Sequence, residues 1–397
     1  MTTLWNVRLI DGPEVRSAMS VVVEEGRVIS IEAAGSEPPP DALDLTGRTV
    51  LPGMIDAHCH FMSDLDRSPG FGPPPHRHGE APRPRELGYF VLAASAQAIV
   101  RSGFTSIRDV GSYDDEALTT GKAVDLGIIP GPRIFSCGRI ISATAPGGAI
   151  FGTMYREANG PWEMREAVRE QIRRGAAFVK FMATGARSVV DEDPEPAQMT
   201  QEEMSAIVDE AHRMGKRVAA HAEGLHGTRW AIEAGADSIE HGLSLHRAPD
   251  LLETMASRGV VLVPTLSTFH DLAERFSGDF AEVLVDQAKR QLDEAYRTVE
   301  AARRAGVTIA LGYDSGPPGT SAQEMLRLGE AGLGSLEAIA AATTGGAAAV
   351  GRADLGRLDP GSCADLIVMN GRPDEDLTLL ASRDNFEFVM KDGEIIK

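Results

Sequence analysis

The sequence predicts an α/β protein: a (β/α)8 TIM barrel carrying a small β-sandwich built from both chain ends. Three observations predict it. Across the middle of the 397 residues, eight short apolar runs alternate with helix-like stretches. The two ends are poor in helix signals and rich in short alternating strands. Five of the eight central runs end in a side chain able to bind metal, and the C-terminal strand ends of such a barrel are where catalytic residues gather.

The central strands are expected at residues 54–60, 105–110, 133–137, 178–182, 217–222, 238–241, 260–265 and 308–312, where β-branched and apolar residues cluster between turn signals. Helices are expected at 85–102, 161–175, 200–215, 224–235, 279–305 and 335–350, several closing on glycine. Thr200 followed by Glu203 fits a capping box. A doubly wound sheet fits less well, because no G-x-G-x-x-G follows a first strand. At the ends, strands are expected at 4–9, 20–24, 28–32 and 48–51, then at 364–369 and 386–391, the last followed by the turn Lys391-Asp392-Gly393-Glu394. The implied division is a composite β-sandwich of residues 1–53 and 351–397 around a barrel of residues 54–350. Residues 63–84 hold six prolines and read as a loop after the first strand, a candidate lid.

Composition narrows the function. With 39 basic and 58 acidic side chains the net charge is -19. That disfavours nucleic acid, which needs clustered Lys and Arg, and anionic membrane surfaces; a small-molecule substrate is expected. No apolar run reaches the ~20 residues of a membrane-spanning helix. Residues 1–12 lack the basic flank and apolar core of a signal peptide, so a cytoplasmic location is expected. Cys59, Cys137 and Cys363 lie far apart and form no C-x-x-C pair, which fits a reduced compartment.

The chemistry-bearing residues come in strand order. His58 and His60 end the first strand; residues two apart face the same side, so both imidazoles can point into the barrel mouth. Paired neutral imidazoles suit Zn²⁺ or a similar borderline metal. Lys180 stands in the apolar fourth strand, where burial favours the neutral amine. A neutral amine can take up CO2 as a carbamate, an anionic ligand able to bridge two metals. His221 and His241 end the fifth and sixth strands. Asp314 follows the eighth and can both bind metal and accept a proton. Each residue alone has a bland structural reading; their joint order along five strands does not.

These residues and their flanks resemble the amidohydrolase superfamily, within it the prolidase-like and imidazolonepropionase-related branch. The resemblance is carried by Leu51-Pro52-Gly53-Met54-Ile55-Asp56-Ala57-His58-Cys59-His60 and by residues 103–111, 179–185, 207–212, 238–242 and 364–368. It implies two divalent metal ions, zinc by expectation. His58, His60 and Asp314 would bind the buried ion and His221 and His241 the exposed one, with carbamylated Lys180 bridging. It also implies a metal-bridging hydroxide that attacks a carbonyl carbon, with Asp314 passing the proton to the leaving amine. Family members often form homo-oligomers, though no pattern here marks an interface. The chain departs from the branch in residues 141–152, which lack the usual histidines, and in Tyr313-Asp314-Ser315, where Thr-Asp-Ala is usual.

For substrate contacts the sequence offers Arg187, as a bidentate carboxylate grip, together with Ser188, His270 and an apolar wall including Phe151. His226 is a second candidate at the mouth, and His212 and His246 read as surface residues. His76 and His78, in the proline-rich loop, read as lid or surface. Glu223 follows His221 by two, whereas mononuclear deaminases of the superfamily place a glutamate at three, which disfavours deamination. The expected function is hydrolysis of a small amide: a dipeptide, an N-acyl amino acid or an aryl amide. Ring opening of a cyclic amide and hydrolysis of esters, lactones or carbamates are the neighbouring alternatives. A non-enzymatic scaffold is disfavoured because all six ligand positions are filled.

Overall fold

The structure, a computed structural model, describes residues 1–63, 84–275, 278, 281–316 and 319–396. Most of the proline-rich loop, with His76 and His78, lies outside the described residues.

Seven of the eight expected central strands form, shifted by a residue or two at their ends. Met54–Cys59, Phe104–Asp109 and Arg133–Ser136 make a three-stranded parallel sheet. Val179–Met182, Val218–Ala222, Ser238–His241 and Val261–Val263 continue in parallel order in a second sheet. That sheet also holds two short strands the sequence reading missed, Ile140–Ser142 at the start of the divergent segment 141–152 and Tyr155–Glu157 just after it. All four residues of Val179–Met182 are buried, as expected where both sheet faces are covered.

The expected eighth strand is not a regular one. Residues 308–312 make a single bridge, Ile309 to Leu262. The reason is that the segment serves three neighbours at once. Ala310 donates to Leu262 O at 2.9 Å and Leu311 to Ala341 O at 2.9 Å, while Ala57 donates to Leu311 O at 2.8 Å. It therefore links the last strand of the second sheet to the first strand of the first. On the other side, Ala177 donates to Ser136 O at 2.8 Å, joining the sheets again.

The expected helices form, and Glu203 N–H to Thr200 Oγ1 (3.2 Å) with Thr200 N–H to Glu203 Oε2 (2.8 Å) completes the capping box. The helix expected over 335–350 is broken: Ser335–Ala340 and Gly346–Val350 flank a π-helical turn, Ala341–Gly345. A methyl on Gly345 would lie 2.2 Å from Ile309 O, so the wide turn and its glycine let the helix lie directly on the irregular segment.

The two chain ends do combine, since Leu366–Met369 pairs antiparallel with Thr49–Pro52. Their hydrogen bonds trace one mixed sheet, not two separate ones. Its order is Glu394–Ile396, Phe386–Lys391, Leu366–Met369, Thr49–Pro52, Thr2–Asp11, Glu14–Glu24, Arg27–Ala33, with Leu43–Asp44 also on Thr2–Asp11. The sheet rolls: Ala364 donates to Gly26 O at 2.9 Å and Gly393 to Ala364 O at 3.0 Å, so the turns at opposite edges meet. Leu4, Leu9, Val21, Val28, Val368 and Met390 fill the inside. Among the described residues no helix is long and apolar enough to cross a membrane, and all three cysteines are free.

Candidate metal centre

One cavity of about 450 Å³ receives His58, His60, Lys180, His221, His241 and Asp314. The strands place them by period. Asp56 and His58 share a face of Met54–Cys59, Lys180 and Met182 share one of Val179–Met182, and Ala219 and His221 share one of Val218–Ala222. His241 and Asp314 follow another rule. Each stands in the left-handed region, at φ 69° and 45°. Non-glycine residues rarely adopt it, and it re-aims a strand-end side chain. Asp314 N–H is held by His58 O at 2.9 Å. Gly312 allows this approach, since a methyl there would sit 2.6 Å from His58 Cβ.

Within the cavity, single donor atoms of His58, His241 and Asp314 lie within 4.8 Å of one another. Asp314 Oδ1 is 3.6 Å from His58 Nε2 and 3.4 Å from His60 Nε2. The His221 and His241 rings stand 4.6 Å apart. Every imidazole spends its other nitrogen on the protein. His58 Nδ1 meets Glu240 Oε2 at 2.7 Å, His60 Nδ1 meets Gly111 O at 2.7 Å, and His241 Nδ1 meets Thr265 Oγ1 at 2.7 Å. His221 Nε2 meets Gly185 O at 3.1 Å. Such outer partners fix ring orientation in metal sites. The donor set fits divalent ions: four imidazoles, a carboxylate and a buried lysine.

The electrostatics agree at His58, His241, Lys180 and Asp314; at His60, where burial would lower the imidazole, Asp314 and Gly111 O hold it above the usual histidine range. Burial pushes His58 down to about 4 and His241 well below the usual histidine range, so both rings are neutral. Burial pushes Lys180 down to about 8, against the pull of Glu240, bringing it far closer to the neutral amine than an exposed lysine. Burial alone would raise the Asp314 carboxyl, but His58, His60 and Arg187 hold it well below the usual range.

Beneath the histidines lies a network the sequence reading did not single out. Arg108, 2% exposed, donates from Nη2 to both oxygens of Glu240 (2.7 and 2.8 Å), from Nη1 to Ser238 Oγ and from Nε to Ala57 O. Burial would raise Glu240, but Arg108 and His58 keep it well below the carboxylate range. Both residues lie in stretches that carry the family resemblance. An arginine in a strand and a glutamate beside a strand-end histidine were the available signals.

The substrate candidates divide. Arg187, Ser188 and Phe151 line the cavity, with Ser188 exposed at its rim. Arg187 is not a free bidentate grip. Its Nη1 donates to Glu223 Oε1 at 2.5 Å, its guanidinium stacks 3.8 Å over the Phe269 ring, and Nη2 lies 3.8 Å from Asp314 Oδ2. His270 does not line the cavity. It is turned to Glu274 (3.5 Å) and the Tyr296 ring, because Thr268, Asp271 and Leu272 occupy the helix face toward the site. His226 likewise stacks on Trp230 at 4.1 Å, outside the lining. His212 pairs with Asp237 at the surface, whereas His246 is half-buried against Thr298.

With fold and cavity defined, the class is settled by comparison: the chain belongs to the amidohydrolase family, whose model matches residues 49–396. It is a metal-dependent hydrolase of carbon–nitrogen bonds acting on small molecules. Among relatives, it is 33% identical to ochratoxinase of Aspergillus niger, covering 98% of this chain and 84% of that protein. It is 28% identical to imidazolonepropionase of Paracoccus denitrificans, covering 90% and 89%. The crystal structure of a Xaa-Pro dipeptidase with methionine bound in its active site superposes with a TM-score of 0.87 at 31% identity, over 99% of each chain.

Proposed function

We propose that the cavity holds two divalent ions, zinc by donor chemistry, and hydrolyses a linear amide: a dipeptide, an N-acyl amino acid or an aryl amide. His58, His60 and Asp314 would hold the inner ion, His221 and His241 the outer, and Lys180 as its carbamate would bridge them. The observation that carries this reading is that each of the four imidazoles has one nitrogen tied to a fixed partner while all four rings line the same cavity. When bound, the ions supply a nucleophile at neutral pH and a Lewis acid for the carbonyl.

The remaining steps fall to this chain's residues. Asp314, ionised and set between His58, His60 and Arg187, is the group to accept the proton of the attacking nucleophile and hand it to the leaving nitrogen. Glu240 holds the His58 ring, and Arg108 holds Glu240. Ile140, Met154, Tyr155 and Met182 give the cavity an apolar wall, which excludes water and suits a bulky apolar substrate group. The two parallel sheets, linked by the Ala57–Leu311, Ala310–Leu262 and Ala177–Ser136 hydrogen bonds, are read as one closed (β/α)8 barrel. The rolled terminal sheet is read as a sandwich-like unit of residues 1–53 and 351–397 packed beside it.

The deciding experiment measures amine release from dipeptides, N-acyl amino acids and cyclic amides by protein reconstituted with zinc and bicarbonate, with metal content determined in parallel. Turnover of linear amides at two ions per chain is the expected result. Two bound ions with turnover only of cyclic amides, lactones or carbamates would replace the linear-amide assignment. Failure to take up metal would overturn the centre itself.

A further inference from the structure

One buried oxygen of the cavity has no part in the chemistry above. Glu223, 1% exposed, lines the cavity two residues after His221. Its Oε1 accepts from Arg187 Nη1 and lies 3.3 Å from His221 Nε2. Its Oε2 is buried and has no hydrogen-bond partner among the described residues. An unmatched buried polar atom is costly, and native structures rarely keep one without a purpose. A carboxylate can only accept, so its missing partner is a donor.

The surroundings say where that donor sits. Arg187, fixed by stacking on Phe269, spans two carboxylates: Nη1 is on Glu223 and Nη2 is 3.8 Å from Asp314 Oδ2. Glu223 and Asp314 therefore face adjacent nitrogens of a single guanidinium, and both line the cavity. In the amide-hydrolase reading, on which this inference rests, the leaving nitrogen must come to Asp314.

We propose that Glu223 Oε2 receives the N–H of the scissile amide, making this residue a selector for secondary amides over tertiary, proline-type amides and over esters. An N–H there satisfies the buried oxygen. An N-alkyl group or an ester oxygen leaves it unmatched, and sites built around a polar substrate contact reject analogues that lack it.

The test compares matched N-acyl amino acids, one with the amide N–H and one with N–CH3, by kcat/KM in zinc-reconstituted wild type and Glu223→Gln. The wild type should favour the N–H member by about tenfold or more. Glu223→Gln keeps an acceptor for Arg187 but offers NH2 at the second position, so the ratio should collapse toward unity. Equal rates in the wild type would overturn the proposal. So would an unchanged ratio in Glu223→Gln protein of wild-type metal content and Tm. Because N–CH3 adds bulk, calorimetric binding of the amide and its isosteric ester to Asp314→Asn protein gives a second reading. Tighter amide binding, lost in Asp314→Asn/Glu223→Gln, supports the role, and equal affinity sinks it. If the wild type cleaves no amide, the amide-hydrolase reading fails and the selector role with it; a surviving binding preference would leave Glu223 Oε2 only as an acceptor for a ligand N–H.

Discussion

The four histidines of the cavity differ in how each is held, and that difference decides what a substitution does. His58 is gripped by a carboxylate that is itself gripped by Arg108, whereas His60 and His221 lean on backbone carbonyls and His241 on a threonine hydroxyl. Lys180 stands apart as the only amine among the proposed ligands. Lys180→Ala should take up less than a full complement of metal and lose more than about 100-fold in kcat. Short carboxylic acids, which can stand in for the carbamate, should restore part of it; wild-type metal content and rate in the mutant would refute the bridging role. Asp314→Asn should keep most of its metal, as measured by elemental analysis, yet lose about 10²- to 10⁴-fold in turnover. A near-normal rate would assign the proton to another group. His58 and His60 were legible because alternation puts them on one face. That His241 and Asp314 turn inward was not, since it depends on left-handed backbone at both positions.

At the scale of elements, the least regular pieces do the positioning. The segment 308–314 gives up strand geometry so that it can bond the strand Met54–Cys59, Leu262 and Ala341 together and deliver Asp314 beside His58. The helical stretch 335–350 widens into a π turn at Ala341–Gly345 to make room. Gly345→Ala should therefore push the helix off Ile309 O and lower stability by about 1–3 kcal/mol, the usual cost of overpacking. A chemical-denaturation midpoint equal to wild type would show that the helix relaxes freely. Local pattern named the helix but not its break, because periodicity over 335–350 is helical throughout and the steric demand comes from a distant strand. Thr200 and Glu203, by contrast, formed the capping box that their spacing announced, a contact settled within four residues.

The whole molecule stores buried carboxyls around this junction. Glu324, at the start of the helix Ala322–Glu330, accepts the N–H groups of Leu266 and Ser267 at 2.7 Å, just beyond the threonine that orients His241. Burial nevertheless pushes it up to about 8 from an ordinary 4.5. The folded state thus keeps a proton the unfolded chain has lost, so this group's contribution to stability is full below about 4.5 and is lost as pH rises through about 8. The Tm difference between wild type and Glu324→Gln should shift in favour of the mutant across that window; a pH-independent difference would mean Glu324 is ionised throughout. The sequence by itself determined the alternation of strands and helices, the helix-poor strands of both chain ends and the six candidate ligands. Each of these is written in local periodicity or in a residue type at a strand end. Only the tertiary structure decided that Arg108 and Glu240 support His58, that Arg187 is already engaged by Glu223, and that His270 faces away. The first two outcomes depend on contacts between residues 36 to 182 positions apart, which short-range pattern does not encode.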